Sequence, residues 1–134
     1  MTNTNNKNTL FYVQLGKLFY AVAASDKVVR NEEFSKLKKC ILDYWLEVDN
    51  LKDSLGHDAA HLISIVFEGV EAFNEDPQDM YDAFINYKNE HPLFFTLEVK
   101  NIIIQTAWSV ARSFSGVNKA ELVMLGKLEI ALSH

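Results

Sequence analysis

The sequence predicts an all-α domain of six to seven helices, and three observations carry that prediction. Apolar residues recur at three- and four-residue spacing almost from end to end, and no stretch alternates with period two for long enough to make a strand. Only five Gly and two Pro occur in 134 residues, too few for a loop-rich β architecture. The two ends of the chain also match each other. YAVAASDKVVRNEEFSKLKK (20–39) aligns with WSVARSFSGVNKAELVMLGK (108–127) at a constant offset of 88 residues. Val22/Val110, Ala23/Ala111, Ser25/Ser113, Val29/Val117, Glu33/Glu121, Leu37/Leu125 and Lys39/Lys127 are identical, and Tyr20/Trp108 and Phe34/Leu122 agree in type. Each copy reads as a helix end, a polar loop, a buried valine and a glutamate early in the next helix. The expectation is a degenerate internal repeat of a helix hairpin, arranged about a pseudo-two-fold.

Taken in order, residues 1–8 (MTNTNNKN) read as a mobile polar tail, which sets a single domain at residues 9–134. Phe11, Leu15, Leu18, Phe19 and Val22 form the buried face of a first helix. The stretch 25–31 breaks the rhythm. Phe34, Leu37, Ile41, Trp45 and Val48 define a second helix, with Lys36, Lys38, Lys39 and Asp43 pointing away. Cys40 lies on its apolar side and, as the only cysteine, reads as a buried free thiol. The polar run DNLKDSLGHD then turns the chain. Leu62, Ile63, Val66, Val70 and Phe73 mark a third helix. Pro77 opens a fourth, carrying Met80, Phe84 and Tyr87, because proline suits a first turn. Beyond Pro92, a fifth helix holds Phe95, Ile102, Ile103, Thr106, Val110 and Ala111, and a sixth holds Leu122, Leu125, Leu128 and Leu132.

Composition narrows the function classes. Apolar residues make up 49% of the chain and include nine Phe, five Tyr and two Trp, which excludes disorder for most of it. A net charge of −5 argues against binding duplex nucleic acid, which needs a basic face to displace counterions from phosphates. No apolar run reaches the 18 residues of a membrane span, so no membrane insertion is expected. LFYVQLGKLFYAVAAS (10–25) ends like a signal-peptidase site. However, Gln14 and Lys17 interrupt it and only Lys7 precedes it as a cation, so the expected location is cytoplasmic.

The loop most able to carry chemistry is Ala24-Ser25-Asp26-Lys27-Val28-Val29-Arg30-Asn31-Glu32-Glu33. With the alanine-containing helix before it, this stretch resembles the TerB-like (tellurite-resistance) family, whose hallmark is Asp-Gly-x-Ile-x-x-x-Glu. Asp26, Val29 and Glu33 occupy the aspartate, aliphatic and glutamate positions, and Lys27 replaces the glycine. In the second copy Val117 and Glu121 match, while Phe114 and Ser115 stand in place of Asp-Gly. The resemblance spans residues 10–133. It implies an all-helical, cytoplasmic, non-catalytic bacterial stress-response module, linked to tellurite and chemical stress and to phage defence, which acts with protein partners. It also implies a divalent cation, such as Ca²⁺ or Mn²⁺, near Asp26 and Glu33.

The residues themselves leave two readings of that loop. Asp26 and Glu33, helped by Glu32 or Asn31, supply only part of the six to eight oxygens a hard cation takes, with Lys27 beside them. In the other reading they are loop and cap. Asn118 and Glu121 make a capping box, Glu33 sits near a helix start capped by Asn31, and Asp26 closes a turn. His57 and His61 stand at i, i+4, the spacing of a helical zinc pair, which makes a metal-dependent hydrolase the rival from another class. Glu68 or Glu71 would then be a further ligand, and a solvated helix start is the plainer account of the two histidines. The aromatics Tyr81, Phe84, Tyr87, His91, Phe94 and Phe95 around Pro92 read mostly as core, with a minority exposed to anchor a partner. A carrier of a small apolar ligand is a further alternative, requiring an internal cavity, and a homodimer is compatible with the sequence. Function is therefore expected to be non-enzymatic partner binding.

Overall fold

The first helix, α1 (Asn3–Ala23), organises the rest of the chain. The computed structural model describes the backbone of residues 3–47 and 56–133 and the side chains of residues 9–46 and 59–133. Phe11, Leu15, Leu18, Phe19 and Val22 are wholly buried, and so are Ala21 and Ala23 on the other sides of the helix. A helix apolar around its circumference belongs inside a core. α1 accordingly packs against α3 (Leu62–Ala72), α4 (Pro77–Glu90), α5 (Leu97–Arg112) and α6 (Lys119–Leu132). Helix α2 (Asn31–Asp43) rests on α5 and α3, and α5 also contacts α6. Short 3-10 helices lie at Trp45–Glu47, Gly56–His61 and Pro92–Phe94. The described residues form six α-helices and no strand, as the apolar spacing anticipates.

Specific contacts fix how these helices meet. A Cβ added at Gly16 would stand 2.7 Å from the Ile63 carbonyl oxygen and 2.7 Å from Val66 Cβ, so α1 and α3 touch backbone to backbone there. Trp45 Nε1 donates to Thr106 Oγ1 at 3.1 Å in the buried interior, joining the segment after α2 to α5. Tyr20 donates its hydroxyl to the Glu75 carbonyl at 2.6 Å, tying α1 to the α3–α4 turn. Helix starts are capped locally. Asp76 accepts from Asp79 N–H before Pro77, and Thr96 Oγ1 accepts from Val99 N–H. Cys40 is a buried free thiol, and burial raises its pKa.

The aromatic cluster around Pro92 is mostly interior. Tyr81, Phe84, Tyr87 and Phe95 are buried, and His91 and Phe94 are half-buried. Phe11 stacks on Phe94 at 5.3 Å and meets Phe95 edge-on at 5.5 Å.

Three expectations change. Phe73 is 81% exposed, because α3 ends at Ala72 and the chain turns away at Asn74, whose φ is 54°; Phe67, one face round, is buried instead. Leu122 is 53% exposed, because the buried stripe of α6 runs Glu121, Leu125, Leu128, Leu132 and a glutamate takes the slot assigned to leucine. Helix α1 also takes in residues 3–8 of the segment set apart as a tail. Val48 and most of the run DNLKDSLGHD lie outside the described residues.

Candidate functional site

The loops that precede α2 and α6 are built alike. Ser25 Oγ donates to the Val22 carbonyl at 2.8 Å, and Ser113 Oγ donates to the Val110 carbonyl at 2.7 Å. Lys27 and Ser115 both adopt left-handed backbone, with φ of 72° and 59°. The next helices start at Asn31 and Lys119. Glu33 Oε1 then accepts from Arg30 N–H at 2.8 Å, and Glu121 Oε1 accepts from Asn118 N–H at 3.2 Å. Each of these pairs is related by the offset of 88 residues seen in the sequence.

The helix caps differ in one respect from expectation. Arg30, not Asn31, is the N-cap of α2, because a glutamate at the third helical position reaches back three residues. Arginine carries only donors, so the Glu33 N–H turns to the Arg30 backbone oxygen at 3.0 Å. At α6 the box is complete, with Asn118 Oδ1 accepting from Glu121 N–H at 2.9 Å.

The two loops also hold each other. Asp26 Oδ2 accepts from Asn118 Nδ2 at 2.7 Å and from Arg30 Nη1 at 3.1 Å, while Oδ1 accepts from Val28 N–H at 3.0 Å. Phe114, at the position in the second loop that corresponds to Asp26, lies under the Arg30 guanidinium, 4.8 Å from ring centroid to Arg30 Cζ. Each loop therefore grips the N-cap of the opposite helix, one by a carboxylate and the other by an aromatic face. Beneath them lie Glu33 and Glu121, each only 1% exposed, with the Glu121 carboxyl acting on Glu33. Burial, then Glu121, pushes the Glu33 carboxyl up to about 8, against the lowering pull of the Arg30 N–H and guanidinium.

Asp26 and Glu33 thus meet at Arg30, the first through its side chain and the second through its N–H. Both oxygens of Asp26 face N–H donors, one of them a cation, so a divalent ion there would have to displace Arg30. That donor set does not fit a hard cation's oxygen shell. Among the described residues no group of three or more His, Cys, Asp or Glu could hold a metal ion. For the histidine pair, Gly56–His61 is a 3-10 helix, where an i, i+4 spacing rotates the two positions by about 120° rather than stacking them on one face. His61 is exposed, and the His57 side chain lies outside the described residues.

Two clefts flank the first loop. One, of about 490 Å³, is lined by Tyr20, Lys27, Glu71, Asn74, Glu75 and Asp76. The other, of about 320 Å³, is lined by Ser25, Lys27, Gln78, Val123, Met124 and Lys127. Lys27 stands at both, with its Nζ 3.9 Å from Asp76 Oδ1. The first is lined largely by polar groups, which do not suit the apolar ligand a carrier would hold.

Left-handed backbone at Lys27 gives one expected outcome. Lys27→Gly relieves a strain of about 1 kcal/mol and forfeits only an exposed ion pair of small worth, so it should raise the urea midpoint. A lowered midpoint would mean that the Lys27 side chain contributes more than its contacts indicate.

The geometry defines a class: an all-helical domain whose N- and C-terminal hairpins are joined through paired loops and helix starts. Compared with protein-family models, curated proteins and solved structures, the chain matches none. Among the described residues no helix is long and apolar enough to cross a membrane.

Sequence reasoning found Asp26, Glu33 and Glu121 but missed the pairing of Asp26 with Asn118 and of the two glutamates. One signal was present. Glu121 stands four residues before Leu125, in register with the buried stripe.

Proposed function

We propose that the protein is a non-enzymatic helical interaction module of a bacterial stress-response assembly, of the kind linked to tellurite, chemical stress or phage defence. The TerB-like resemblance of Asp26, Val29 and Glu33 supports the biological setting and a cytoplasmic location. The observation that carries partner binding is the pair Leu93 and Leu97, 93% and 75% exposed at the junction of α4 and α5. They flank in sequence Phe94 and Phe95, which pack onto Phe11. Two leucines left this far in water beside a packed aromatic cluster point to an interaction surface. The aromatic residues beside Pro92 form that cluster, and the leucines make the contact. A divalent cation enters this reading only as a weak modulator, because at Asp26 it competes with Arg30.

Replacing both leucines by serine should leave stability within about 0.5 kcal/mol of wild type, since neither side chain is buried. In a bacterial host under tellurite challenge, crosslinking should recover protein partners with the wild type and lose them with the double variant. Identical partners for both proteins would remove this surface from the reading. An absence of partners with wild type would remove the reading itself.

A further inference from the structure

We propose that Glu33 and Glu121 form a proton-operated latch between the first turns of α2 and α6. The argument begins with their positions. Each glutamate is the third residue of its helix, each is 1% exposed, and each commits Oε1 to the N–H of its own N-cap. Glu121 Oε2 is buried and has no hydrogen-bond partner. The Glu33 carboxyl is the buried acid on which the Glu121 charge acts. Two ionised carboxylates offer each other no donor, so that acceptor stays unsatisfied while both are charged. A proton on Glu33 supplies the donor, leaves one negative charge where there would be two, and joins the helix starts.

The surroundings favour that state. The charged groups acting on Glu33 are Glu121, from α6, and Arg30, from the loop before α2. Arg30 cannot fully neutralise a second anion, because its guanidinium is already committed to Asp26 and to the face of Phe114. From the α5–α6 loop, Phe114 and Asn118 bring no charge. Loss of the proton would set two buried anions against each other at the point where α6 joins the N-terminal hairpin, leaving Asp26–Asn118 and Arg30–Phe114 to hold that junction against them.

The sign follows from the raised carboxyl. Burial lifts Glu33 from 4.5 to about 8, so its stabilising contribution is full below pH 4.5 and is lost as pH rises through about 8. Between those limits the folded state holds one more proton than the unfolded chain, and the folding equilibrium should fall by nearly tenfold per pH unit from this pair.

The test compares wild type with Glu33→Gln, which keeps an acceptor for the Arg30 N–H and offers Glu121 an uncharged donor. Folding equilibria from urea titrations at about pH 5.5, 6.5 and 7.5 should fall more steeply for wild type, by close to tenfold per unit. Groups common to both proteins contribute equally to both slopes, so the difference isolates residue 33. Amide exchange at Asn118 and Glu121, corrected for base catalysis, should lose protection with rising pH in wild type and hold it in the variant. Glu121→Gln, which also removes one of the two charges, serves if Glu33→Gln does not fold. Equal pH slopes for wild type and the folded variant, or unchanged exchange at both amides, would overturn the latch.

Discussion

Gly16→Ala is expected to destabilise the protein by about 2 kcal/mol, whereas Gly126→Ala is expected to stabilise it by about 1 kcal/mol. Both glycines stand inside helices, so alanine brings the same gain in helix propensity of about 1 kcal/mol at each. What differs is the space. At Gly126 a new Cβ meets nothing within 4 Å. At Gly16 it meets the Ile63 carbonyl and Val66 Cβ, both at 2.7 Å, and the first is backbone that can yield only if α1 and α3 move apart. Overpacking of that kind costs about 1–3 kcal/mol, or more when a backbone must shift, and outweighs propensity. Urea denaturation of the two variants decides it. A Gly16→Ala variant at least as stable as wild type would mean that α1 and α3 are not in backbone contact at Gly16.

Asp26→Ala is expected to cost about 2 kcal/mol. A turn-forming aspartate would cost less, because water replaces its single bond. Here the substitution strips acceptors from three donors at once, namely Val28 N–H, Arg30 Nη1 and Asn118 Nδ2. Exposure moderates the loss: the side chains of Arg30 and Asp26 are 27% and 19% exposed, so water recovers part of the ion pair. Asp26→Asn should fall between, keeping one acceptor oxygen but losing the charge that Arg30 faces. A urea midpoint unchanged by Asp26→Ala would return the residue to the role of a simple turn former.

The helices were legible because each buries a stripe that periodicity reports directly. Phe11, Leu15, Leu18, Phe19 and Val22 were all read as interior, and all are. Errors came where a polar residue took an apolar slot. Leu122 looked like the natural first member of the α6 stripe, but Glu121 occupies it, because its partner across the interface is another glutamate rather than water. A local pattern carries no information about such a partner. Phe73 failed for a different reason, since a left-handed residue at Asn74 ended the helix rhythm just before it mattered. The site was half legible. Asp26 and Glu33 were singled out from their loop, and their chemistry was left between a turn and cap and part of a cation's oxygen shell. The structure turns Asp26 toward Asn118, 92 positions away in the chain, and buries Glu33 against the N-cap of its own helix. The identity of Glu33 and Glu121 at a fixed offset hinted at a meeting of the two segments, but symmetry between segments does not state that they touch.

The most direct test of the join between the hairpins is a double-mutant cycle on Asp26→Ala and Asn118→Ala, read by urea denaturation. Each single change also has a local cost, the turn at Asp26 and the α6 cap at Asn118, and the cycle removes both. A coupling energy of about 1 kcal/mol is expected for a side-chain pair in direct contact across 2.7 Å. Additive effects, to within about 0.3 kcal/mol, would mean that the two loops do not hold each other.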